Sequence, residues 1–246
     1  MLIKVINPNT TLSMTKMIGE SGRAVVGPGV TVEAVSPSMG PASIESHYDD
    51  ALSVPGVLQE VLLGEEGGVD GYVIACFGDP GLLAAREVAM GPVVGVAEAG
   101  MKSATYLGRT FSVVTTLGRT VGHTWELAHR YGVGAACAGV YACEIPVLDL
   151  ETDPAARSRI LAACRDALER DGSDVIVLGC AGMADLCADL SAALGVPVID
   201  GVAAATATVQ ALVTLGLRTS KRLEFAAPAA KTYDGMLQGF APPPPR

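Results

Sequence analysis

The chain carries one pattern twice, and a duplicated pattern restricts a fold more than composition does. GYVIACFGDPGLLAAREVAMGPVVGVAEAG, Gly71 to Gly100, has a counterpart in DVIVLGCAGMADLCADLSAALGVPVIDGVAAA, Asp174 to Ala205. In each copy an apolar run ends in a cysteine, a helical pattern follows, and a short Pro-Val strand closes the unit. Cys76 precedes Pro92, and Cys180 precedes Pro197, at nearly the same interval. Upstream, IKVINPNTT (Ile3 to Thr11) matches FSVVTTLGR (Phe111 to Arg119); downstream, YLGRT (Tyr106 to Thr110) matches TLGLRT (Thr214 to Thr219). Two equivalent halves related by a pseudo-twofold axis put one thiol on each side of the cleft between them.

Short strand-like runs alternate with helical patterns along the whole chain, the signature of parallel βα units. LIKVIN, VTVEAVS (30–36), GYVIAC and PVVGV supply four strands; FSVVTT, VYACEIP (140–146), DVIVLGC and PVID supply four more. An apolar fraction of 50% with only 4% aromatics and 29 glycines suits strands covered by helices on both faces. The expected fold is therefore α/β, with two pseudo-twofold-related lobes. Each is a mainly parallel four-stranded sheet flanked by helices, with the active site in the interlobe cleft. The helix near 98–107 leads into copy two, and that near 201–216 holds the same place after it. Lobe one is thus expected to be discontinuous, 1–98 plus 208–246, and lobe two to span 99–207. Helices are also predicted over VPGVLQEVLLGEEG and over PGLLAAREVAM, the latter with Asp79 as its N-cap and Pro80 as its first residue.

A formal charge of −9 argues against a nucleic-acid partner, since phosphate binding needs a basic surface. The longest late apolar stretch, AAATATVQALVTLGL, is broken by Thr and Gln and too short to span a membrane. MLIKVINPN runs straight into a strand without signal-peptide features, so a cytoplasmic location is expected, with the six cysteines as free thiols. No CxxC spacing suggests zinc, so a structural zinc site is not expected. The APPPPR end reads as extended and mobile.

Cys76 and Cys180 both sit between a strand end and a helix, beside glycine-containing loops. A free thiol has a pKa of about 8.5, so half ionisation at neutral pH needs roughly 2 kcal/mol of stabilisation. A helix N-terminus and loop amides are the expected sources. Two thiols facing one carbon suit a reaction that removes a proton from one face and returns it to the other. Cys137, Cys143, Cys164 and Cys187 lack this setting; Cys164 and Cys187 lie inside helical patterns and read as core residues. Of His47, His123 and His129, the last two lie on a predicted helix without a repeat counterpart, and surface or packing roles are expected of all three. The acidic residues of HYDD and EEGGVD read as solvated surface or caps, and Asp79 as a loop-holding cap.

The motifs INPNTT, SIESHYDD, ACFGDPGL, GVAEA, VVTTLGR, VLGCAGMADL and GVPVIDGVAAA resemble the hydantoin racemase branch of the aspartate/glutamate/hydantoin racemase superfamily, from Leu2 to about Ala205. The resemblance implies cofactor-independent, two-base racemisation, with Cys76 and Cys180 as the bases, a small-molecule substrate of the hydantoin (cyclic ureide) type, and a homo-oligomer. Amino-acid racemases of the superfamily typically carry C-N-T and G-C-T-H around these cysteines. This chain has C-F-G and G-C-A-G, which fits a less charged, cyclic substrate.

The polar loop after the first strand and its repeat counterpart make Asn7, Thr115 and Thr116 candidates for substrate contact. Backbone amides at Phe77, Gly78, Ala181 and Gly182 are placed to bind carbonyls flanking a deprotonated carbon. Ser43, Ile44 and Tyr48 resemble the family's loop over the site. Within the superfamily, allantoin racemase, amino-acid racemase and arylmalonate decarboxylase activities are the alternatives; outside it, a two-lobed small-molecule binding protein.

Overall fold

A computed structural model describes residues 1–241; the proline-rich end, 242–246, lies outside the described residues. The first half runs β1 (Leu2–Ile6), α1 (Leu12–Ala24), β2 (Thr31–Val35), α2 (His47–Glu66), β3 (Gly71–Ile74), α3 (Leu82–Val88) and β4 (Val93–Gly95). Helix α4 (Val96–Leu107) leads into β5 (Phe111–Thr115), α5 (Val121–Arg130), β6 (Cys137–Ala142) and α6 (Ala156–Asp171). Then come β7 (Val175–Gly179), α7 (Cys187–Leu194), β8 (Val198–Ile199) and α8 (Gly201–Thr214).

The strands form two parallel four-stranded sheets, ordered β2-β1-β3-β4 and β6-β5-β7-β8. The second order repeats the first element for element, so the internal repeat is a repeat of topology. β3, β5 and β7 are buried along their whole length, because helices cover both faces of each sheet. Each fully buried Val or Ile there contributes about 1.5–3 kcal/mol.

The helices that follow the two sheets are exchanged. α4 leaves β4 and packs on β5, β7 and β8; α8 leaves β8 and packs on β1, β3 and β4. The two also pack on each other, and this needs a small residue: a Cβ on Gly201 would lie 2.6 Å from the Val96 carbonyl oxygen. Beyond α8 the chain stays on the first half, where Thr219 donates from its amide to Met90 O and from its hydroxyl to Gly91 O.

Several local expectations change. β6 ends at Ala142 rather than running to 146, because Glu144 takes a left-handed φ of 56° that breaks the ladder. It also starts earlier, at Cys137. α2 begins at His47, well before the predicted start, because the Ser46 hydroxyl accepts from Asp49 N at 3.2 Å and caps it. Thr11 stands at the start of α1 without a side-chain cap bond, its hydroxyl donating instead to Ala42 O.

Asp79 does not cap α3, which starts at Leu82 behind Gly81. Its carboxylate reaches across to α4 and accepts from Ala97 N (3.1 Å) and Glu98 N (2.9 Å). In the other copy, Asp200 caps α8 directly, accepting from Val202 N at 2.7 Å. Gly95 holds the position equivalent to Asp200, and any side chain there would collide with the Asp79 carboxylate. One half thus caps its crossover helix from within, and the other borrows a carboxylate from the loop after Cys76.

Candidate active site

Ligands of open α/β sheets bind beyond the carboxyl ends of the strands. Here the ends of β1, β3, β5 and β7 line one cleft, part of it open to solvent. The first half contributes Asn7, Cys76, Phe77 and Gly78; the second contributes Thr115, Thr116, Cys180, Ala181 and Gly182. The duplication is visible in the local turns. Asp79 N donates to Cys76 O at 2.9 Å, and Met183 N donates to Cys180 O at 3.1 Å. At the cleft wall Glu45 Oε1 of one half accepts from Val147 N of the other at 2.6 Å.

Both cysteines are half-buried on the cleft wall and free, as are the other four. Burial pushes the Cys180 thiol up to about 11, against a Gly182 amide that pulls it down. The Cys76 thiol is raised further, first by burial and then by Cys180, Asp50 and Asp79, with the Gly78 amide opposing. The direction is opposite to that expected of thiols tuned toward neutral pH. α3 begins only at Leu82, several residues past Cys76. Desolvation outweighs a single amide on each side. The Gly78 and Gly182 amides, expected to hold substrate carbonyls, line the cleft and pull the neighbouring thiols down.

Asn7 is fully buried and locked: its Nδ2 donates to Asn9 Oδ1 (2.9 Å) and Thr15 Oγ1 (3.0 Å). Thr115 Oγ1 pairs with Thr120 Oγ1 at 2.9 Å and donates to Gly179 O at 3.3 Å. Of the loop over the site, Ile44 lines the cleft; Ser43 and Tyr48 are not among its lining residues, and Tyr48 is 74% exposed. In their place stand Glu45, Ser46, His47 and Asp50, joined from the second half by Arg119, Thr120 and His123.

The sequence does not single out three of these as cleft residues, although His47 stays exposed as a surface residue would. His47 and His123, expected at the surface or in packing, meet edge-on with ring centroids 5.5 Å apart on the cleft wall. His123 Nε2 lies 3.3 Å from Gly78 O, and its Nδ1 is buried without a hydrogen-bond partner. Asp50, read as surface or cap, has a buried Oδ1 equally without a partner, a state that costs about 1–3 kcal/mol for a polar group. Burial pushes its carboxyl above the usual range, while His123 and His47 pull it back. None has a counterpart in the other copy, which is why a repeat-based search passes over them. Among the described residues no group of three or more His, Cys, Asp or Glu is placed to hold a metal ion.

The family description Asp/Glu/hydantoin racemase matches residues 3–209. The chain belongs to that family. It is an isomerase of the racemase type. It is 48% identical to the hydantoin racemase of Pseudomonas sp. (strain NS671), an alignment covering 98% of this chain and 97% of that one. It is 49% identical to the hydantoin racemase of Rhizobium meliloti, over 96% and 98% of the two chains. Its fold superposes on the allantoin racemase of Klebsiella pneumoniae with a TM-score of 0.96 and 50% identity, covering 98% of this chain and 99% of that chain. No described helix of this racemase is long and apolar enough to cross a membrane.

Proposed function

We propose that this racemase interconverts the D and L forms of 5-monosubstituted hydantoins by a two-base mechanism on Cys76 and Cys180, without metal or pyridoxal phosphate. The observation that carries the reading is the placement of these two thiols, at equivalent strand ends of the two repeats, on one cleft. One cysteine, as thiolate, takes the C5 proton; the C–H electron pair moves into the ring and the C4 oxygen becomes an enolate. The other cysteine, as thiol, donates its proton to the opposite face of C5, and the electrons return from the enolate. The cysteines end with their protonation states exchanged, so the reverse reaction starts from the other thiolate. Peptide N–H groups at strand ends suit the enolate oxygen because they are fixed before charge develops. Phe77 and Ala181, each following its cysteine on the cleft wall, supply the candidates.

Allantoin, itself a ureido-substituted hydantoin, is the second reading, favoured by the close superposition on the Klebsiella pneumoniae allantoin racemase. The test is incubation of one enantiomer in D₂O, following optical rotation and the C5–H signal. The wild type should lose rotation and exchange C5–H. Cys76→Ala and Cys180→Ala should each lose racemisation by at least about 100-fold while remaining folded, since each lacks the acid/base group of one face. Full racemisation by either variant would refute the two-base reading.

A further inference from the structure

Asp50 is not needed by the two-cysteine chemistry, nor does it cap its own helix. Capping falls to Ser46, whose hydroxyl accepts from Asp49 N, while Asp49 Oδ2 accepts from Ser46 Oγ (2.7 Å) and Glu45 N (3.1 Å). Asp50 stands in the first turn of α2 and lines the cleft, with Oδ1 sealed from solvent and unpartnered among the described residues. Native folds leave few buried polar atoms in that state unless something else meets them. The surroundings place this acceptor beside Gly78, in the loop after Cys76, on the same cleft. A Cβ on Gly78 would come within 2.8 Å of Asp50 Oδ1 and 3.6 Å of His123 Nε2, so carboxylate and imidazole flank the loop that follows Cys76.

We propose that Asp50 is a substrate-recognition residue whose carboxylate accepts an N–H of the bound cyclic ureide. The proposal rests on the racemase reading above. A hydantoin ring alternates N–H donors with carbonyl acceptors around C5. Peptide amides suit its carbonyls and the two thiols face its carbon; a carboxylate supplies the complementary acceptor for an N–H, by a charge-assisted hydrogen bond. The donor has two sources, the ring nitrogens or a ureido group at C5. A site built around such an acceptor discriminates against ligands that leave it buried and unpaired.

The experiment measures KM and kcat by C5–H exchange for wild type, Asp50→Ala and Asp50→Asn. The substrates are 5-isopropylhydantoin, whose only N–H groups are in the ring, and allantoin, which adds a ureido group. Asp50→Ala should raise KM roughly 10- to 100-fold with a smaller fall in kcat, the effect of losing one buried hydrogen bond to a charged acceptor. Asp50→Asn keeps a side-chain oxygen acceptor and should recover part of the loss. A rise in KM for both substrates assigns the ring N–H; a rise confined to allantoin assigns the ureido group. Unchanged KM for both substrates in folded Asp50→Ala overturns the proposal. If that variant fails to fold, an unchanged KM in both for Asp50→Asn overturns it. No C5–H exchange by the wild type overturns the racemase reading, and this proposal with it.

Discussion

Raising the pH should activate Cys180 toward alkylation with a slope of about one decade per pH unit from 7 to 10. An unperturbed thiol, with a pKa of about 8.5, is roughly a quarter thiolate at pH 8. With its thiol pushed up to about 11, Cys180 is ionised in only about one molecule in a thousand at that pH, so its thiolate is roughly 200-fold scarcer. The displacement corresponds to roughly 3 kcal/mol against the charged form, and burial is its main cause. Cys76 is raised further, partly by Cys180 itself, so the pair should lose its protons in two steps with Cys180 ionising first. The assay is iodoacetamide modification across this pH range, read by peptide mass, on wild type and on Cys76→Ala. Cys180 should be labelled ahead of Cys76, and substrate should slow the labelling. The same shift has a stability consequence. The fold favours the neutral thiol, so its contribution is intact below about pH 8.5 and lost as pH rises toward 11. A labelling rate for Cys180 that levels off below pH 9 would refute this account and mean that the loop amides, not desolvation, set the thiol.

Two further expectations concern the borrowed cap and cofactors. Asp79→Ala orphans Ala97 N and Glu98 N and should cost about 1–3 kcal/mol net in urea denaturation. The loss is tempered because burial already holds that carboxyl near 6, against the charged form. Gly95→Asp alone should cost more than about 3 kcal/mol by forcing two carboxylates together. The double variant, which recreates the Asp200 arrangement, should be more stable than Gly95→Asp, and strict additivity would sink the reading. Exhaustive chelation and carbonyl reagents should leave racemisation unchanged; loss on chelation that a divalent metal restores would contradict the proposed mechanism.

Repetition made much of this protein legible before any coordinates. The pairing of Cys76 with Cys180, the four-plus-four strands and the matched sheets follow from local patterns that recur along the chain. Strand periodicity and strand-end loops are encoded by near neighbours, and a duplicated segment folds in the same way twice. The boundary of β6 and the start of α2 were less accessible. They turn on single residues, Glu144 with its left-handed backbone and Ser46 with its cap bond, against weak flanking patterns. What the tertiary structure alone decided lies where the halves differ. Asp79 looks like the cap of the next helix by local rules, yet it serves α4 because Gly95 leaves room there for its carboxylate. Asp50, His47 and His123 look like surface polar residues, and become cleft residues because α2 and α5 come together over the Cys76 loop. The state of the thiols belongs to the same class. A strand-end cysteine with nearby amides reads as activated, but how much water those sulfurs lose depends on what the rest of the chain packs around them, and that is a property of three dimensions.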